Sequence, residues 1–164
     1  MDKIRDKIKR FLKDSKNTVF LSIGSELRGD DGASVLTANE LLKKDLPSNF
    51  KVLLGYTAPE NLTGEIKRIK PTHMIICDAA NGGLKPGEIG VISVSDVDGA
   101  AFSTHMMPMN VFIDYISRDN PCKTLILGIQ PGSVEFGADI TEEVRETAIA
   151  LADAVFEIVK PKKK

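Results

Sequence analysis

The sequence predicts an α/β protein, a three-layer α/β/α sandwich built on a sheet of about five mostly parallel strands with one antiparallel strand. Short apolar runs rich in strand formers alternate along the chain with stretches whose apolar residues recur at helical spacing. A loop of glycines and acids joins the first such run to the helix that follows it, which is where open α/β sheets carry their chemistry. The third and fourth strand-like runs are separated by too few residues for a crossover helix, so the fourth strand runs antiparallel to its neighbour.

The 164 residues, 42% of them hydrophobic with a net charge of -1, suit one domain with a single core. Residues 1–16 form an amphipathic N-terminal helix, 17–159 the α/β core and 160–164 a basic tail. Acidic and basic residues are nearly balanced and intermixed, which excludes the general basic field that nucleic-acid binding needs. No window approaches the roughly 20 apolar residues of a membrane span, and the charged start lacks the apolar core of a signal peptide. A soluble, monomeric, cytoplasmic protein with no membrane insertion is expected. Cys77 and Cys122 adjoin strand-like runs, where reduced thiols are ordinary, and their spacing does not suggest zinc.

Ile4, Ile8, Phe11 and Leu12 recur at helical spacing and predict a helix over about residues 3–13. Thr18-Val19-Phe20-Leu21-Ser22-Ile23 is nearly all apolar, as a central strand covered on both faces must be. After the acidic loop, Val35, Ala38 and Leu42 line a helix ending near Lys43 and Lys44. Phe50-Lys51-Val52-Leu53-Leu54 is the second strand, and Leu62, Ile66 and Ile69 lie on a helix stopped by Pro71. His73-Met74-Ile75-Ile76-Cys77-Asp78 is the third strand, its apolar run breaking at Asp78. Residues 87–94 alternate like a half-exposed edge strand. Pro108 opens a helix carrying Met109, Phe112, Ile113 and Ile116 on one face. Thr124-Leu125-Ile126-Leu127-Gly128-Ile129 is the last core strand. Thr141 caps a final helix that buries Val144, Ala148, Leu151 and Val155.

The chemistry gathers at the carboxyl edge of this sheet. Gly24 and Gly29 have the separation of a phosphate-binding loop, but Asp30 and Asp31 occupy the positions where such a loop needs Lys and Ser or Thr, and they would repel phosphate. Carboxylates there suit a metal cation instead. The loops after strands one and three lie side by side in a doubly wound sheet, which brings Asp31 and Asp78 together. His105, in a loop on the same edge, completes a set of two carboxylates and one imidazole; His73 begins a strand and so lies at the opposite edge. Two carboxylates about 5 Å apart repel by roughly 3 kcal/mol at an effective dielectric near 20, which a divalent cation reverses. Three ligands leave open positions, the pattern of a working site, and this donor set admits nickel, zinc, iron or manganese. Each residue also has a plainer role: Asp30 or Asp31 as a helix cap, Asp78 as a turn former, His105 as a surface hydrogen bonder. No Ser or Cys stands in a nucleophile elbow, and strand alternation turns Cys77 away from Asp78; Ser103 beside His105 is a weak candidate.

Gly24-Ser25-Glu26-Leu27-Arg28-Gly29-Asp30-Asp31-Gly32, Ala58-Pro59-Glu60-Asn61, the Asp78 strand end, Asn81-Gly82-Gly83-Leu84-Lys85-Pro86-Gly87-Glu88-Ile89, Thr104-His105-Met106-Met107-Pro108-Met109-Asn110 and Leu127-Gly128-Ile129-Gln130-Pro131 together resemble the nickel-iron hydrogenase maturation endopeptidases, most closely the HycI type. The resemblance runs from about residue 17 to the final helix. It implies a peptidase, often grouped with the aspartyl proteases, that removes a short C-terminal extension from a hydrogenase large-subunit precursor once nickel is inserted. Asp31, Asp78 and His105 match the family's catalytic and metal-contacting residues. The nickel is held by the precursor partner and serves as recognition signal, and no organic cofactor is implied. Two departures stand out. Many relatives carry Asn in place of Ser25, and relatives commonly carry an acid where Leu54 ends strand two.

Other functions fit parts of the pattern. A metal-dependent hydrolase of small amides or esters would use the same ligands around a tightly held zinc. A non-catalytic chaperone that senses nickel in the precursor would use them without cleavage. A phosphorylated receiver domain would need a lysine after the last strand, where Gln130 and Pro131 stand.

Overall fold

The computed structural model describes residues 1–94, 101–102 (backbone only) and 108–161. Its elements in chain order are α1 (Asp2–Phe11), β1 (Thr18–Ile23), α2 (Ala33–Leu42), β2 (Phe50–Tyr56), α3 (Thr63–Ile69), β3 (His73–Asn81), β4 (Ile89–Ile92), β5 (Ala101–Phe102), α4 (Met109–Ser117), β6 (Lys123–Ile129) and α5 (Glu142–Val159). The main sheet has the order β2-β1-β3-β6-β4. Its first four strands are mutually parallel, and β4 runs antiparallel to β6. The two-residue β5 pairs antiparallel with the end of β3 and was not legible as a strand.

The alternation of β-strand side chains divides the apolar residues between two cores. Phe20 of β1, Ile75 and Cys77 of β3, and Leu127 and Ile129 of β6 pack against α1, α2 and α5. Val19, Leu21 and Ile23 of β1, Met74 and Ile76 of β3, and Ile126 of β6 pack against α3 and α4. Central strands buried on both faces must be apolar throughout, which is why β1 and β3 read as unbroken runs. The amphipathic N-terminal helix belongs to the first of these cores through Ile4 and Ile8.

Several expectations shift in detail. Leu41, not Leu42, faces the core from α2, and Leu42 is half exposed. The antiparallel strand β4 does not pair with β3, which precedes it, but reaches over to β6. β3 continues three residues past Asp78, so this acid lies within a strand and not at its end. Thr141 stands at the N-cap of α5 as expected, but its hydroxyl does not cap the helix; it donates to Asp30.

The site-forming feature is a split in the sheet. The β1–β3 ladder ends at the pair Ser22 and Cys77, while β1 carries on beside β2 across an irregularity after Ser22. Beyond Cys77, β3 no longer pairs with β1. The connection order places the switch point of the sheet between these two strands, since β1 leads outward to β2 and the chain then returns to β3.

Candidate active site

A short 3-10 turn, Gly29–Gly32, follows β1 and contacts β3 beside the split. Gly24 allows the chain to fold back there. Its φ is +145°, and a Cβ on it would lie 2.0 Å from the carbonyl oxygen of Asp31, so no side chain fits. The Ser34 hydroxyl donates to the carbonyl of Ile23, and Gly24 N–H donates to the carbonyl of Tyr56 at 2.8 Å, fixing the turn to the ends of β1 and β2.

The two adjacent acids of this turn have different roles. Asp30 is fully buried, and its carboxylate accepts from the amides of Gly132 (2.7 Å), Ser133 (3.0 Å) and Thr141 (2.7 Å) and from the Thr141 hydroxyl (3.0 Å). Burial pushes its carboxyl up, but those amides and the hydroxyl outweigh burial and hold it below the ordinary carboxylate range. Asp30 therefore does not cap α2; it ties the loop after β1 to the loop between β6 and α5. The sequence suggested only a local cap because the partners lie about a hundred residues away.

Asp31 is 6% exposed and its Oδ2 accepts from Ser25 N–H at 2.9 Å. Among the described residues its Oδ1 takes no hydrogen bond. Because the backbone of Ser25 orients Asp31, the side chain at position 25 is left for a local contact, accepting from Leu27 N–H at 3.3 Å.

Asp78 is fully buried, and its Oδ1 accepts from Ala79 N–H at 2.8 Å. Alternation puts it on the α3/α4 side, opposite Cys77. Its partner on β6 is Gly128 and the next on β4 is Gly90, so two glycines follow it across the sheet. A Cβ at Gly128 would come within 2.7 Å of the Ala80 Cβ and 2.8 Å of the Ile92 Cδ1. The space over Gly128 is thus filled by the side chains of Ala80 and Ile92, and no residue larger than glycine fits beside Asp78 there.

His105, the third expected member, lies outside the described residues, as does Ser103. Among the described residues no group of three or more His, Cys, Asp or Glu is arranged to hold a metal. What the described part supplies is two oxygen-donor side chains on elements in contact at the switch point, and carboxylate oxygens suit a hard or borderline divalent cation. His73 begins β3 at the amino edge, paired with Thr18 and Lys123. Its ring is 2% exposed with Nε2 3.2 Å from Asp14 Oδ1.

Two further residues of the edge were named in the sequence only as parts of motifs, without a role. Gln130, 7% exposed, accepts on Oε1 from the amides of Gly82 (2.9 Å) and Leu84 (3.1 Å) and donates through Nε2 to Asn81 Oδ1 (3.2 Å), holding the loop after β3. In the sequence it stands directly after an apolar strand, within the Leu127–Pro131 motif, with no role assigned to it. Glu60, in the 3-10 turn Pro59–Leu62, has a buried Oε2 with no hydrogen-bond partner among the described residues. Leu54 packs against the α1/α2/α5 core.

Neither thiol is an activated nucleophile. Cys77 is buried, and burial, with the nearby Asp78 carboxylate, pushes its thiol far above the usual range. Cys122 sits at the amino edge beside β6 with its thiol pushed up by burial to about 11. Thiolate chemistry needs the opposite shift.

The fold and this edge define a doubly wound α/β protein whose candidate working groups are carboxylates at the switch point. Comparisons with known proteins narrow that class. The family model for HycI, hydrogenase maturation protease, matches residues 35–159, a span that holds Asp78 and His105 but begins after Asp31. The hydrogenase 3 maturation protease of Escherichia coli K12 is 36% identical over 129 residues, 78% of this chain and 81% of that protein. The crystal structure of the [NiFe] hydrogenase maturation protease HycI from Thermococcus kodakarensis superposes with a TM-score of 0.88 at 28% identity, covering 94% of this chain and 99% of the other. The solution structure of the endopeptidase HycI from Escherichia coli gives 0.76 at 33% identity, over 87% and 92% of the two chains. The chain belongs to the hydrogenase maturation protease family and is an endopeptidase of that family. Among its described residues no helix is long and apolar enough to cross a membrane.

Proposed function

We propose that this endopeptidase removes the C-terminal extension of a nickel-iron hydrogenase large-subunit precursor after nickel insertion, with Asp31, Asp78 and His105 contacting the nickel that the precursor carries. The observation that supports it is the contact between the Asp31 turn and β3 at the split in the sheet, with Asp31 Oδ1 taking no hydrogen bond among the described residues. Nickel is here part of the substrate. The two carboxylates repel each other when the site is empty and are relieved when a cation arrives, so a loaded precursor is preferred over an empty one. With both described thiols held protonated, the attacking group is water, polarised by the metal and giving its proton to one of the carboxylates. This reading carries with it a monomer acting in the cytoplasm.

The test is incubation of the purified protein with precursor, with and without nickel, followed by mass spectrometry for the released C-terminal peptide. Release from nickel-loaded precursor alone is expected, and Asp31→Ala and His105→Ala should keep the fold and lose release. If either variant cuts loaded precursor at the wild-type rate, the residue assignment is wrong. Stoichiometric zinc retained through purification would instead favour a resident-metal hydrolase.

A further inference from the structure

The loop that carries Asp31 also carries an exposed apolar residue with a partner on the opposing loop. Leu27 is 64% exposed, Phe136 is 77% exposed and Val134 is 40% exposed. They are neighbours because the two loops are bonded together: Gly137 N–H donates to Leu27 O at 2.8 Å, Gly29 N–H to Ala138 O at 3.1 Å and Asp30 N–H to Ser133 O at 2.9 Å. Gly137, with φ of +79°, turns the chain directly after Phe136. The buried Asp30 carboxylate then locks both loops from beneath.

An exposed phenylalanine on a fraying loop is ordinary, but this one stands on a backbone already ordered before any partner arrives. Large apolar side chains held in place are the usual anchors of a protein interface, since little conformational freedom remains to be lost on contact. Along the two loops themselves the exposed charged residues are Glu26, Arg28, Glu135 and Asp139, three acids to one base. The rim is thus acidic and favours a basic-flanked partner segment. Three residues separate Leu27 from Asp31, so a polypeptide lying on Leu27 and Phe136 is led to the candidate site.

We infer that Leu27, Val134 and Phe136 form the docking surface for the precursor, receiving an apolar segment flanked by Lys or Arg residues near the bond to be cut. This rests on the proteolytic reading proposed above and names where its protein substrate is held. Val134 extends the surface along the β6–α5 loop.

The experiment compares wild type, the double variant Leu27→Ser/Phe136→Ser and the conservative Phe136→Leu on nickel-loaded precursor, reading KM and kcat of peptide release. Binding is measured separately by calorimetry, with sedimentation of the free protein alongside. The double variant should raise KM and weaken binding by about tenfold or more with kcat within about twofold, and Phe136→Leu should recover most of the loss. High salt should weaken wild-type binding through the acidic rim. Unchanged KM and binding in the double variant would overturn the inference while leaving proteolysis intact. A wild-type dimer dissolved by the double variant would also overturn it, making the patch a self-association surface. Wild-type binding that depends on the patch without any peptide release would support docking and overturn the proteolytic reading.

Discussion

Replacing Asp30 with Asn separates the two acids of the turn. The carboxylate of Asp30 takes three amides and one hydroxyl at 2.7 to 3.0 Å while fully buried. Asn keeps one acceptor oxygen and turns an NH2 group toward donors. If the oxygen stays with Gly132 and Ser133, the Thr141 amide faces another donor and is left unsatisfied, at about 1–3 kcal/mol. The remaining bonds also lose their charge assistance, so the total comes to about 2–4 kcal/mol. For a chain of this length that is a fall in Tm of roughly 5–15 °C. Urea denaturation at pH 7 should show a lower midpoint with an unchanged slope. Because the folded-state pKa of Asp30 lies below its unfolded value, its stabilisation is full above that unfolded value, near 3.9, and is lost as pH falls through the folded value. The gap between wild type and Asp30→Asn should therefore close in acid. Asp31→Asn, which disturbs one bond from Ser25 N–H, should cost less than about 1.5 kcal/mol yet abolish peptide release. A loss under about 0.5 kcal/mol for Asp30→Asn, or a gap that persists unchanged at pH 2.5, would refute the assignment of Asp30 as the loop tie.

Other outcomes follow from the same geometry. Gly24→Ala should yield little folded protein, because its Cβ would overlap the Asp31 carbonyl; a normal yield and thermal melt would mean the turn can open. Gln130→Ala frees the amides of Gly82 and Leu84 and should cost about 1–2 kcal/mol in chemical denaturation, with faster hydrogen exchange confined to that loop. His73 should titrate below 6.5 by NMR, because burial pushes it down more strongly than Asp14 pushes it up. Its contribution to stability is full above the unfolded value near 6.5 and is lost as pH falls through the folded value; Asp14→Asn should lower the His73 value further, and a measured value above 6.5 would contradict this balance.

The alternation of strands and helices was legible because burial on two faces demands unbroken apolar strands, and β1 and β3 satisfy that demand residue by residue. The expected burial of Val144, Ala148, Leu151 and Val155 on α5 holds for the same reason. The choice between Leu41 and Leu42 was not legible, since adjacent leucines differ by 100° around a helix and only the packing of α2 on α5 selects one. Nor could sequence choose the neighbour of β4, because a short connection constrains strand direction more than strand position. Asp78 and Asp31 could be placed on one edge from topology alone. Asp30 and Gln130 could not be read, as their roles consist of bonds to backbone amides elsewhere in the chain, and any residue supplies an amide.

The tie from Asp30 to Gly132, Ser133 and Thr141 also has a consequence in time. The segment bearing Asp31 precedes by about a hundred residues the backbone groups that hold the neighbouring Asp30 carboxylate, and those groups follow the strand that fills the gap between β3 and β4. A half-made chain thus holds its acids but not their arrangement. Only a chain that extends through Thr141 can complete the tie beneath the turn that carries Asp31.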